Sequence, residues 1–339
     1  MIVVKNLEKH YKIAKRDPGL RGAIKSLFHR KFETKKAVKK INMHINAGEM
    51  VGANGAGKST TIKMLTGILT PTSGEVKVNG IIPYENRQQN ASHIGAVFGQ
   101  RTQLFWDIPV RESYELLKHI YEIPQAQYEE TLKEFVEVLH LEPLLGIPVR
   151  QLSLGQKMRC ELAAAFLHRP KVVYLDEPTI GLDVAVKVRI RAFIKQMNAR
   201  YGTTVLLTTH DMQDIEEICQ RIIIIDDGSV IYDGSIQDIK SQFGDKRVIH
   251  FELEDAADSF VLPETLCDVT EVLPKSDEEP HLVSLSFSNK HISGAEVIHT
   301  MMNHYSVADL TIADAKIETI VEEIYGRGMK KEVQHEEIL

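Results

Sequence analysis

The chain has 339 residues, 43% of them hydrophobic and 26% charged, with a formal net charge of −6. That length can supply two domain cores, and the acidic balance argues against a general nucleic-acid-binding surface. No apolar run approaches the roughly 18 residues that span a bilayer, so a membrane role would come through a partner chain.

In chain order, residues 1–7 read as a strand. The opening MIVVK lacks a basic region followed by an apolar core, from which a cytosolic protein without a signal peptide is expected. An excursion at about 12–36 follows. Within 14–36, Lys15, Arg16, Arg21, Lys25, Arg30, Lys31, Lys35 and Lys36 stand against Asp17 and Glu33, a net of +6. Leu20, Ile24, Leu27 and Phe28 sit at helical spacing. This segment reads either as a basic amphipathic helix touching anionic lipid or a permease surface, or as an insertion packed on its own domain.

Strand signals return near 37–38 and 41–45, then alternate with helices: helix 60–69, strand 74–79, strand 93–97. Residues 110–122 and 126–141 are helical in pattern, with Leu116, Leu117 and Ile120 expected on one face and Leu132, Phe135, Val136 and Leu139 on another. The apolar runs 172–175 and 204–208 read as parallel strands buried on both faces. The expected organisation is an α/β domain over 1–240 with a mainly helical insert at about 101–150. A small α+β domain over 246–328 and a charged tail at 329–339 follow. Cys160, Cys219 and Cys267, and the histidines of the second domain, show no metal-type spacing.

Residues 52–59 read GANGAGKS, which fits the G-x-x-x-x-G-K-[ST] phosphate loop. Glycines let successive backbone N–H groups turn toward phosphate oxygens, and the helix that follows offers its positive end. Asn54, Gly55, Ala56, Gly57 and Thr60 would line the cradle, Lys58 would reach the outer phosphates and Ser59 would ligate Mg²⁺. After the strand at 172–175, Asp176 and Glu177 stand where one carboxylate can hold Mg²⁺ and the next can polarise a water.

Residues 152–156, LSLGQ, resemble the signature motif of ATP-binding cassette (ABC) ATPases, usually LSGGQ. VVYLDEP at 172–178 resembles their Walker B strand, IGLD at 180–183 the D-loop, TTH at 208–210 the switch-histidine strand and VFGQ at 97–100 the Q-loop. Tyr11 stands where the family places an adenine-stacking aromatic. The resemblance covers about the first 240 residues and is similar to bacterial ATPases of the daunorubicin-resistance exporter type. It implies a P-loop NTPase fold of ABC type and Mg-ATP hydrolysis, with Glu177 as general base, His210 near the γ-phosphate and Gln100 sensing Mg²⁺. Ser153, Gly155 and Gln156 would face the nucleotide of an opposing protomer in a homo- or heterodimer. A separate integral-membrane permease would complete the transporter at the inner face of the cell membrane. A soluble ABC ATPase acting on ribosomes or DNA is the rival reading.

Two departures stand out. Leu154 replaces a signature glycine, with Ser153 and Gly155 retained. Between Gly48-Glu49 and Gly52 only Met50 and Val51 remain, about three residues fewer than the family pattern and worth roughly 10 Å of strand. Either residues before Gly48 join the strand, or ATP binding is impaired, or the sequence derives from a damaged gene copy or a faulty reading of one.

Overall fold

The computed structural model describes residues 1–15, 31–99, 101–243, 246–254, 260–273, 280–313, 317–321 and 324–325. It divides into two compact units, Met1–Asp233 and Gly234–Leu339.

The first unit opens with β1 (Ile2–Lys15) and β2 (Lys31–Ile45), which pair antiparallel from Ile2↔Ile45 to Lys15↔Lys31. Of the two readings of 14–36, the helix does not extend to either flank. Ala14 pairs with Phe32 and Lys35 with Tyr11, so alternation across a hairpin prevails over helical spacing there. Leu20, Ile24, Leu27 and Phe28 lie outside the described residues.

After the turn come β3 (Met50–Gly55), α1 (Lys58–Leu65), β4 (Ser73–Val78), the short α2 (Arg87–Ala91) and β5 (Ile94–Phe98). Then follow α3 (Val110–Ile120), α4 (Gln125–Leu139) and α5 (Leu154–Phe166). The unit continues with β6 (Val172–Asp176), α6 (Val184–Tyr201), β7 (Thr204–Thr208), α7 (Met212–Ile218) and β8 (Arg221–Asp226), and β9 (Ser229–Ser235) begins in it and ends two residues past Asp233. Six strands form one sheet in the order β5-β6-β7-β3-β8-β9, and the four pairs from β5 to β8 are parallel. The three-stranded sheet β2-β1-β4 shares its core, where Ile2, Val4, Leu7 and Val38 pack with Val51, Tyr174, Leu206 and Ile223. Strands β6 and β7 are buried along nearly their whole length, as unbroken apolar runs between helix layers require.

Local chemistry sets the helix ends. Ser153 and Gln156 form a reciprocal capping box at α5, and Asp183 accepts from the Val186 amide at the start of α6. Gly202 ends α6 at φ 62. Phe193 of α6 meets Phe135 of α4 and Phe166 of α5 edge-on, at ring separations of 5.1 and 5.3 Å. On α3 the expected apolar face is corrected. Val110, Tyr114 and Leu117 are buried, while Leu116 and Ile120 are exposed, because the buried stripe runs one position away from them.

In the second unit, α8 (Ile236–Phe243) precedes a four-stranded antiparallel sheet in the order β11-β12-β10-β13. Its strands are β10 (Lys246–Leu253), β11 (Thr270–Val272), β12 (Leu282–Ser288) and β13 (Val307–Ala313). Helix α9 (Gly294–His304), capped by Ser293, covers one face with Val297 and Met301 against Ile249, Phe251 and Leu285. Residues 317–321 and 324–325 are helical.

Candidate active site

Strand register brings the motifs together. Phe98 lies beside Asp176, Asp176 beside Thr208 and Thr208 beside Ala53, so the ends of β5, β6 and β7 form one row with Ala53 of β3. The residues just beyond, Gly99, Glu177 and Thr209, therefore emerge on the carboxyl edge, where α/β sheets bind ligands. An open cleft of about 640 Å³ lies there, lined by Tyr11, Lys58, Ser59, Asp176, Glu177 and His210 among others.

The Glu177 carboxylate accepts from Lys58 Nζ at 2.8 Å and lies 3.1 Å from His210 Nε2, and Lys58 Nζ lies 3.3 Å from that nitrogen. Thr208 donates to Asp176 Oδ1 at 2.5 Å, and the Glu177 amide donates to the Thr208 carbonyl at 2.8 Å. Glu177 makes that hydrogen bond at φ 56, a left-handed conformation in which a non-glycine residue is strained.

The phosphate loop takes an unexpected form. The turn before it is intact, with Gly48 donating to Thr204 Oγ1, Glu49 bonded to the Asn46 amide and Asn198 donating to the Gly48 carbonyl. Residues before Gly48 are not drawn into the strand, which corrects that expectation. Gly52 to Gly55 are drawn in from the other side, with ladder partners from Gly52↔Leu207 to Gly55↔Ile225. With the turn anchored, a strand short of residues fills its slot from the glycine-rich loop. Asn54 and Gly55, expected in the cradle, thus stand in the ladder with β8, and Asn54 points its amide toward Met212 Sδ at 3.8 Å. Gly52 packs on α7, where an added Cβ would meet Ile215 at 2.7 Å. Only Ala56 and Gly57 separate β3 from α1, and Gly57 sits at φ 114 as its N-cap. Lys58 and Ser59 occupy the first turn of α1 and reach the cleft, and Thr60 follows them.

Ser153, Gly155 and Gln156 are not among the residues lining this cleft. Ser153 is exposed at the tip of α5, and Leu154 is 51% exposed beside Gly181. Gln100 lies outside the described residues. Sequence reasoning missed Lys63, Ile68, Leu69 and Arg101, which also line the cleft. Lys63 lies four residues beyond Ser59 on α1, a spacing that could have exposed it.

Two buried charge groups brace the site. Arg191 donates to Asp214 at 2.6 Å and to Glu217 at 2.7 Å, and Asp214 also accepts from Thr179 and Thr209. This joins the segment after Glu177 to the segment around His210. Burial works to raise the Asp211 carboxyl, but its hydrogen bond and charge pairing with Lys187, helped by Arg191, bring it below the usual range. Beyond the Q-loop, Glu161 of α5 accepts from Thr102 and the Gln103 amide, and burial pushes its carboxyl up.

Fold and cleft together define a nucleotide-binding α/β domain of the P-loop class. The family profile described as "ABC transporter" matches residues 38–180. The chain is 33% identical to the uncharacterized ABC transporter ATP-binding protein YdbJ of Bacillus subtilis over 231 residues, covering 67% of this chain and 73% of that protein. It is 34% identical over 226 residues to the methionine import ATP-binding protein MetN of Streptococcus mutans, covering 63% of this chain and 64% of the relative's length. It is 27% identical over 300 residues to the linearmycin resistance ATP-binding protein LnrL of B. subtilis, covering 87% and 96%. A dimeric post-hydrolysis structure of the ATP-binding cassette MJ0796 bound to ADP and Pi superposes with a TM-score of 0.59 at 28% identity, over 70% of this chain and 99% of that one. The chain belongs to the ABC transporter ATP-binding proteins, and its first unit is an ABC ATPase domain.

Proposed function

We propose that this chain is the ATP-hydrolysing subunit of an exporter whose membrane-spanning part is a separate permease. Among the described residues no helix is long and apolar enough to cross a membrane, which is in keeping with a division of labour between two chains. The observation that carries the reading is the convergence of Lys58, the Asp176-Glu177 pair and His210 on one cleft from three separate segments. Export is supported by LnrL, whose name denotes resistance and whose alignment runs 300 residues, past the cassette, where that of MetN runs 226.

In this reading Tyr11 stacks the adenine, Lys58 neutralises the outer phosphates, and Glu177 takes a proton from the attacking water while His210 holds it in line. Ser59 and Asp176 supply hard oxygen donors suited to Mg²⁺, which would neutralise phosphate charge when bound. Exposed Ser153 and half-buried Gly155 complete a partner's site across a head-to-tail dimer, with Gln100 linking site and permease.

The test is equilibrium Mg-ATP binding to the purified chain, with Lys58→Ala as the blank, followed by sizing of Glu177→Gln with ATP. Binding lost in the lysine variant, and an ATP-dependent dimer in the glutamine variant, are expected. Equal binding by both folded proteins would overturn the assignment. A ribosome-pelleting assay separates the soluble-ATPase rival.

A further inference from the structure

Pairing of β1 with β4 ends at Glu8↔Ser73, while β1 and β2 continue together to Lys15↔Lys31. Beyond His10 the hairpin is thus a two-stranded ribbon. Directly opposed residues of an antiparallel pair share a face, and faces alternate along each strand. One face carries Tyr11, Ile13, Glu33 and Lys35, and its Tyr11 lines the nucleotide cleft. The opposite face carries His10, Lys12, Thr34, Lys36 and Phe32. Lys12, Thr34 and Lys36 are exposed there, and Phe32 is 58% exposed.

Charge is sharply segregated along this chain. Residues 9–36 hold ten basic and two acidic side chains, a net of +8, which leaves −14 for the remainder. Lysines on a ribbon can serve simply to block edge-to-edge pairing. That role does not account for an exposed phenylalanine one place beyond the Lys12–Thr34 pair on the same face, which works against it. Cations in line with an exposed aromatic ring on one face match an anionic interface with an apolar layer beneath.

We infer that the face bearing Lys12, Lys36 and Phe32 docks on an anionic lipid bilayer. The ribbon then presents Tyr11 to nucleotide on one side and basic side chains to lipid headgroups on the other. The inference rests on the transporter reading, which puts a bilayer at hand.

The test is co-sedimentation of the full chain with phosphatidylcholine vesicles, with and without phosphatidylglycerol, beside Mg-ATP binding on the same preparations. Each lysine lost from the face should weaken binding about fivefold, so Lys12→Gln/Lys36→Gln should lose roughly 25-fold. Phe32→Ser should lose about tenfold. Lys35→Gln, on the cleft face, should lose less than about twofold. Binding that ignores phosphatidylglycerol, or a Lys35→Gln loss equal to that of the double variant, would overturn the inference. So would a single-stranded oligonucleotide that displaces the vesicles. Retained Mg-ATP binding in any of those cases leaves the transporter reading standing, whereas lost Mg-ATP binding with vesicle binding kept sinks the transporter reading alone.

Discussion

Restoring the missing length before the phosphate loop should restore its cradle. Strand β3 has six ladder places, and the last three are filled by Ala53, Asn54 and Gly55. Inserting Ala-Val-Gly after Gly52 supplies alanine and glycine where alanine and glycine now stand, and valine in place of buried Asn54. Three residues add about 10 Å of chain, enough to push the native Ala53, Asn54 and Gly55 out of the ladder. Their amides then become available to phosphate. A hydrogen bond to a charged group contributes about 1.5–3 kcal/mol, so two such amides, less the ordering of the loop, should contribute about 3 kcal/mol. That is roughly a hundredfold tighter Mg-ATP binding. Equilibrium binding of parent and insertion variant, each with its Lys58→Ala control, measures it. The reasoning fails if the folded insertion variant binds no tighter than the parent.

Replacing Arg191 with methionine strands Asp214, which has no exposed surface, and should cost about 3–5 kcal/mol in urea unfolding; a loss below about 1 kcal/mol would refute the pairing. His168 Nε2 donates to the Ile94 carbonyl at 3.0 Å and its ring stacks on Tyr121, and burial lowers its pKa to about 4 from 6.5. The unfolded chain then holds the extra proton between those values, so stability present above pH 6.5 should fall by up to about 3 kcal/mol as the pH drops to 4. His168→Asn should flatten that part of the stability profile, and an unchanged slope would refute the assignment. Phe193→Ala removes the ring joining α4, α5 and α6 and should lower stability by about 3–5 kcal/mol, checked by the same unfolding curves.

Most of the cleft was readable because its residues sit at punctuation marks. Asp176 ends an apolar strand and Lys58 opens a helix, and such ends are marked in the residues themselves. What stayed hidden depends on distance along the chain. Asp214 and Glu161 look like ordinary helix-surface acids until Arg191, Thr102 and Gln103 arrive from elsewhere. The basic excursion left two readings open because helical spacing in its middle drew notice away from the alternation in its flanks. Leu116 and Ile120 misled because periodicity gives a stripe's pitch without fixing its phase. The shortage before Gly52 was countable, but which neighbour fills the gap depends on which end is anchored.

That anchoring makes the segment a ruler read from one end. Gly48 and Glu49 are tied to Thr204, Asn198 and Asn46, and Arg221 adds a bond to Glu49 at 3.1 Å. A residue removed anywhere from 50 to 57 should therefore be felt at the mouth of α1 and leave the turn in place. In a deletion scan, damage from this stretch would report as one phenotype whatever the position cut, while cuts on the far side of the turn would act on the hairpin instead. Length here behaves as a shared quantity, with the phosphate loop holding whatever is left over.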